Sequence, residues 1–75
     1  MSQRLPRLTS RQLRRVLERS GWELDRTTGS HFIYSHPETQ RTLSVPQHNR
    51  VMSIGTLSRL LKDAGIDRDE LRRLL

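Results

Sequence analysis

Residues 29–34 read Gly29-Ser30-His31-Phe32-Ile33-Tyr34, a turn followed by a run of strand-forming residues. Glycine adopts positive φ at little cost, and the two threonines before it supply turn-forming hydroxyls. Aromatic and β-branched residues favour a strand. Because strand side chains alternate, Phe32 and Tyr34 share one face, and His31 and Ile33 the other. If the rings face the core, His31 lies on the open face beside a turn that a ligand can approach closely. The alternative is an ordinary surface histidine.

Two further strands flank this one in the sequence. Residues 22–26 alternate two apolar side chains, Trp22 and Leu24, with two acidic ones, which predicts a strand with one apolar face. Residues 41–45 alternate in the same way, and Pro46 ends this third strand. Short turns between successive strands favour an antiparallel meander.

Helices are predicted on both sides of the strands. Thr9 and Gln12 form a capping box that starts the first helix, and Gly21 stops it. Its outer face carries several arginines: Arg11, Arg14, Arg15 and Arg19. These are equally well explained as a solvated face or as phosphate contacts. Ser53 caps a second helix that ends at Gly65, and a short third helix follows.

The order helix, three strands, helix predicts an α+β domain spanning residues 1–75. We expect a three-stranded antiparallel sheet with two helices on one face, and a short C-terminal helix. The other face of the sheet stays open.

The net charge of +6 points to a polyanionic partner, of which nucleic acid is the commonest. Arginine supplies thirteen of the fourteen cationic residues and grips phosphate bidentately. Arg4 and Arg7 belong to a basic lead-in. The chain has no cysteine, which excludes disulfides and thiolate zinc sites. No stretch resembles a membrane span or a secretory signal, so we expect a complete, soluble, cytoplasmic protein.

Several short motifs occur in a fixed order along the chain: Leu17-Glu18-Arg19-Ser20-Gly21-Trp22, Gly29-Ser30-His31, Val45-Pro46-Gln47-His48, Gly55-Thr56-Leu57 and Leu61-Lys62-Asp63-Ala64-Gly65-Ile66. In this combination, the chain from about Leu8 to Leu75 resembles the HicA family of toxin ribonucleases. The resemblance implies an α-β-β-β-α fold similar to double-stranded-RNA-binding domains. It also implies an mRNA-cleaving toxin (mRNA interferase) of a type II toxin–antitoxin pair. The implied partner is a HicB-type antitoxin, and the implied catalytic residue is His31.

Histidine chemistry suits RNA cleavage, because RNA carries its own nucleophile in the 2′-hydroxyl. A histidine with an ordinary pKa near 6.5 can take up or deliver a proton at neutral pH. We therefore predict an endoribonuclease that needs neither metal nor cofactor, since no carboxylate stands at a ligand-like spacing to the histidines. His48 is the candidate second acid or base, with a surface loop histidine as the alternative. Candidate RNA contacts are Gly29, Ser30, Arg11, Arg14, Arg15 and Lys62.

Two other classes of function compete with the enzyme. A passive RNA-binding module would use the same basic charge and open sheet. A structural subunit or adaptor would explain the apolar tail but not the charge. We expect the toxin alone to be a monomer.

Overall fold

The computed structural model describes residues 5–48 and 50–75. Its elements follow the predicted order: α1 Ser10–Arg19, β1 Glu23–Thr27, β2 His31–Ser35, β3 Thr42–Pro46, α2 Ile54–Ala64 and α3 Arg68–Leu74. The lead-in position Arg4 and the loop position Asn49 lie outside the described residues. In the described ranges, no helix is long and apolar enough to cross a membrane.

Helix α1 begins and ends on local signals. The Thr9 hydroxyl accepts a hydrogen bond from the Gln12 backbone N–H, and the Gln12 side chain accepts one from the Thr9 N–H at 2.9 Å, which completes the capping box. At the other end Gly21 adopts a φ of 95°. The Gly21 and Trp22 N–H groups donate to the carbonyls of Glu18 and Leu17, so the helix closes in a Schellman motif.

The three strands form one antiparallel sheet in the order β1-β2-β3. Phe32 lies opposite Val45, and His31 lies opposite Pro46. Strand β3 begins and ends one residue later than predicted, because Pro46 is paired within it; a missing N–H is tolerated in an edge strand. Helices α1 and α2 cover one face, which confirms the predicted α+β fold.

The core lies between the helices and the face of the sheet that α1 and α2 cover. It contains buried side chains from all three helices, from β2 and β3, and from the intervening segments: Leu8, Leu13, Val16, Leu17, Trp22, Tyr34, Leu43, Val45, Met52, Leu57, Leu60, Leu61, Ile66 and Leu71. Met52 lies on the segment between β3 and α2, yet its side chain is buried, and its N–H donates to the Leu8 carbonyl at 2.8 Å. This bond and the bridge between Thr9 and Val51 join the segments that lead into α1 and α2.

Strand β1 departs from its predicted pattern. Leu24 lies opposite buried Tyr34 but is 44% exposed, and every residue of β1 is exposed. The predicted apolar face of this strand is wrong: no residue of β1 belongs to the core cluster, whereas β3, the other edge strand, contributes Leu43 and Val45 to it. Its register also shifts between Leu24 and Arg26, which places a bulge at Asp25. Trp22, predicted to open the strand, precedes it on the turn that ends α1.

Candidate functional site

His31 is held at the start of β2 by a closed two-residue turn. Its backbone N–H donates to the Thr28 hydroxyl at 3.0 Å, and the Thr28 N–H donates to its carbonyl at 2.8 Å. The Gln47 N–H donates to the Ser30 carbonyl at 2.8 Å, which ties the turn to the end of β3. The backbone under the imidazole is therefore fixed from both sides.

The imidazole ring of His31 is half-buried and oriented by its neighbour. Its Nδ1 lies 2.9 Å from the Ser30 hydroxyl, and the tautomer decides which group donates. When Nδ1–H donates to the hydroxyl oxygen, Nε2 of the neutral ring is an unprotonated base. When the hydroxyl donates, Nε2 carries the proton. The same contact thus orients the ring for either proton transfer.

His31 opens onto a groove of about 310 Å³ between β3 and α2. The strand side is lined by Thr42, Leu43, Ser44 and Pro46, and the helix side by Arg59, Leu60 and Asp63. Arg59 and Asp63 were missed by sequence reasoning. The sequence shows only that these two residues are polar positions of α2. The local pattern does not indicate which polar side of that helix lies against the edge of β3. The groove therefore holds one histidine, one cation and one carboxylate.

Gly29 differs from its predicted role in the turn. The positive-φ glycines of the described chain are Gly21 and Gly65, so the turn does not use the left-handed freedom of Gly29. A Cβ atom at Gly29 would meet nothing within 4 Å. Neither backbone conformation nor packing inside the protein requires glycine here, and the space beside the turn is open to a ligand.

The remaining candidate residues are divided among separate depressions. Arg11, Arg14 and His48 share one of about 380 Å³ with Ser10, Phe32 and Gln47. Arg15 lines another with Gln12 and Arg19. Lys62 lines a third with Asp67. The structure therefore brings His48 together with two of the helix arginines, and puts His31 in a different depression.

Arg14 is fixed by contacts within the protein. Its guanidinium carbon lies 3.7 Å from the centroid of the Phe32 ring, and its Nε donates to the Tyr34 hydroxyl at 2.8 Å. The Tyr34 hydroxyl in turn donates to Glu18 at 2.8 Å. Burial raises the pKa of Tyr34 above its ordinary value; the Arg14 guanidinium opposes this rise, and the Glu18 carboxylate adds to it. Tyr34 is thus a core residue with a satisfied hydroxyl.

The third histidine, His36, is half-buried. Its ring makes an edge contact with Trp22 at a centroid distance of 5.2 Å, and its Nδ1 accepts a hydrogen bond from the Glu38 N–H at 3.2 Å. Across residues 5–48 and 50–75, no three histidine or carboxylate side chains come together in a metal-binding cluster.

Comparison with known families agrees with this architecture. Residues 10–66 match the family model described as "HicA toxin of bacterial toxin-antitoxin". The chain belongs to the HicA toxin family. The match runs from the first residue of α1 to Ile66, so it contains the sheet, α2 and the turn that carries His31. A comparison with curated proteins finds no significant match.

Membership of the HicA family confirms the resemblance seen in the sequence. It supports a toxin role in a toxin–antitoxin system. An antitoxin partner is implied by the same assignment, because toxins of this kind are paired with an inhibitor.

Proposed function

We propose that this HicA-family chain is an endoribonuclease (mRNA interferase) that cleaves RNA by proton transfer at His31. The observation that carries the proposal is the His31 groove, which an oriented imidazole and the Arg59 side chain both line. With messenger RNA as the substrate, the proposed location of the activity is the cytoplasm.

The proposed reaction uses the nucleophile that RNA supplies. With Nδ1–H donated to Ser30, Nε2 of His31 accepts the proton of a 2′-hydroxyl. The 2′-oxygen attacks the adjacent phosphorus, and the bond from phosphorus to the 5′-oxygen breaks. The leaving 5′-oxygen takes a proton from solvent. The products are a 2′,3′-cyclic phosphate and a 5′-hydroxyl, and the imidazolium then returns its proton to solvent.

Arg59 is the group in the groove that suits the charge of the transition state. Negative charge builds on the phosphate oxygens as the 2′-oxygen attacks, and a guanidinium that contacts those oxygens lowers the energy of this charge. Backbone N–H groups of the Gly29-Ser30 turn are further donors within reach of a phosphate that approaches His31. The proposed chemistry calls on no metal ion.

The decisive experiment separates catalysis from passive RNA binding. Purified protein is incubated in chelator with an end-labelled single-stranded RNA and with the same sequence in which every 2′-hydroxyl is replaced by hydrogen. We expect the RNA to be cut to products ending in a cyclic or 3′-phosphate, and the deoxy strand to remain intact. Cleavage of the deoxy strand would contradict the mechanism. Retardation of both strands without cleavage would favour the RNA-binding module.

The proposed partner is a HicB-type antitoxin. Its inhibitory route follows from the charge of the toxin, since a cationic RNA-binding surface is blocked most effectively by a complementary acidic one. We propose that the antitoxin covers the His31 groove.

A further inference from the structure

A second depression lies at the same end of the sheet as His31, on the opposite face. It is lined by Ser10, Arg11, Arg14, Phe32, Gln47 and His48 and has a volume of about 380 Å³. Its residues include two arginines and a histidine but no carboxylate. Phe32 follows His31 directly in β2, and the Gln47 N–H donates to the Ser30 carbonyl. The wall of this depression is thus hydrogen-bonded to the turn that positions His31.

The first turn of α1 opens onto this depression with unused donors. The first backbone N–H groups of a helix have no intrahelical acceptor, and the Thr9 hydroxyl caps only that of Gln12. No acidic side chain lies in this turn, whereas α3 carries Asp69 and Glu70 in its first turn. The positive end of the α1 dipole is therefore not offset by its own side chains.

Ser10 gives an independent sign of a missing ligand. It is only 2% exposed, and its hydroxyl is the one buried side-chain oxygen or nitrogen of the described residues without a hydrogen-bond partner. Ser10 is not the N-cap, since Thr9 has that role. A buried hydroxyl without a partner costs stability, so the free protein gains nothing from this side chain. Ser10 is one of the residues that line the depression, so its hydroxyl is a candidate donor to an acceptor bound there.

The other side chains of the depression are already arranged as donors. Arg14 is held by the Phe32 ring and by the hydrogen bond from its Nε to Tyr34, so its two terminal nitrogens are left to contact a ligand. Because the side chain is already ordered, it loses less conformational entropy when a ligand binds. His48 Nδ1 accepts a hydrogen bond from the Arg50 N–H at 3.2 Å, so the neutral ring carries its proton on Nε2 and donates there. This contact favours a binding role for His48 over that of a second general base.

We propose that this depression binds a phosphodiester group of the RNA strand at a position separate from the scissile phosphate. The donor set is cationic, contains no carboxylate and lies at a helix N-terminus, which suits a phosphate oxygen. An RNA strand held here and at His31 passes around the end of the sheet formed by the Gly29-Ser30 turn and Gln47. The proposal rests on RNA being the substrate, as argued above, and does not depend on His31 being catalytic.

The test uses an RNA strand with 2′-O-methyl groups, which cannot be cut through its 2′-oxygen and therefore reports binding alone. Arg11→Ala is compared with Arg15→Ala, a neighbour on the same helix that lines a different depression. We expect Arg11→Ala to weaken binding about tenfold, as the loss of one charge-assisted hydrogen bond predicts. It should also reduce the salt slope by about 0.7, as the loss of one phosphate contact predicts. Arg15→Ala should change both quantities much less. Equal effects of the two variants would overturn the proposal.

Ser10→Ala gives a second, sharper readout. The variant should be at least as stable as the parent protein to thermal unfolding, because a buried unpartnered hydroxyl is removed. It should nevertheless bind the 2′-O-methyl strand severalfold more weakly.

His48→Ala should raise KM for cleavable RNA and leave kcat unchanged. Parent-like affinity in Ser10→Ala and parent-like KM in His48→Ala would overturn the proposal, even if His31 proves catalytic. Weakened binding in these variants together with an unimpaired His31→Ala enzyme would support the phosphate site and contradict the proposed role of His31.

Discussion

At the scale of single residues, the chemistry depends on how each side chain is already occupied. His31 Nδ1 is engaged by Ser30, and the ring faces an open groove. His36 is packed against Trp22, and His48 Nδ1 is engaged by a backbone N–H. Three histidines therefore have three different environments, of which that of His31 is best suited to accept a proton from a bound strand.

His31→Ala should abolish most cleavage and leave the fold intact. Loss of a positioned acid–base group lowers the rate by about 10²–10⁴-fold. His31 is half-buried outside the core cluster, so the free energy of unfolding should change by less than about 1 kcal/mol. Cleavage, RNA retardation and thermal unfolding are measured on one preparation, and antitoxin binding should survive. Parent-like cleavage in a folded variant would end the case for His31, and a fall in melting temperature parallel to activity would indicate a structural role.

Tyr34→Phe should remove a pH-dependent part of the stability. At neutral pH the variant should lose about 1 kcal/mol, since Arg14 and Glu18 lose their shared hydroxyl. The folded pKa of Tyr34 is raised, so this contribution is fully present below the unfolded pKa of about 10. It is lost as pH rises from there through the folded pKa. Urea unfolding of both proteins from pH 8 to pH 11 measures this, and their stability difference should shrink at the alkaline end. A constant difference would contradict the assignment.

At the scale of elements, both long helices end in the same way. Gly65 has a φ of 73°, and the N–H groups of Gly65 and Ile66 donate to the carbonyls of Lys62 and Leu61. This repeats the Schellman closure of α1 at Gly21. In each case the residue after the glycine is buried in the core, as Trp22 and Ile66 are. The glycine thus stops the helix and turns an apolar anchor inward.

A pair of glycine substitutions tests which turns need glycine for the fold. Gly21→Ala should destabilise the protein by about 1 kcal/mol or more, because a positive φ is strained for alanine. The new Cβ would also lie 3.2 Å from His36 Nε2. Gly29→Ala has neither problem and should change the free energy of unfolding by less than about 0.5 kcal/mol. Chemical denaturation of both variants provides the measurement. A large loss of stability in Gly29→Ala would show that the turn itself requires glycine; lost cleavage at unchanged stability would show that the bound strand does.

At the scale of the whole molecule, the excess positive charge is spread over several faces. Arg11 and Arg14 line a depression on the helix side of the sheet, and Arg59 lines the His31 groove. Arg26 is an exposed residue of β1. Within the described residues, Arg26 forms the one side-chain ion pair, with Asp25 at 2.8 Å, and both partners are well exposed. Exposed pairs of this kind contribute little, so most of the cationic surface remains available to a polyanion.

RNA affinity should fall steeply with salt as a result. Each phosphate neutralised on a single strand contributes a slope of about −0.7 in log K against log[salt]. Titrating the 2′-O-methyl strand between low and physiological ionic strength gives the slope, and its size counts the phosphates held. An affinity that does not change with salt would show that the net charge of +6 has no part in binding.

The antitoxin should protect the His31 groove. Hydrogen exchange of backbone amides in β3 and at the start of β2 is compared between free toxin and complex. We expect slower exchange in both segments when the partner is bound, because an acidic surface covers the groove. A complex that inhibits cleavage while these amides exchange as in the free toxin would contradict occlusion.

The sequence by itself determined the order of elements, the caps and the family. Capping boxes, glycine stops and alternation act over three to five residues, so α1 and β2 could be predicted almost to the residue. The Gly29-Ser30-His31 motif was readable for the same reason, and it singled out His31. The proposed catalytic role of His31 rests on the groove that this residue lines.

Only the tertiary structure decided which side chains meet. Periodicity tells which face of an element a residue occupies, but not which edge or face of another element lies against it. It could not show that Leu24 falls outside the core, that Met52 falls inside it, or that Arg59 reaches the His31 groove. Nor could periodicity show that His48 and His31 line different depressions. The two residues lie at the same end of the sheet but on opposite faces. That separation depends on how α1 and α2 pack across the sheet, which is set by contacts between residues far apart in the chain.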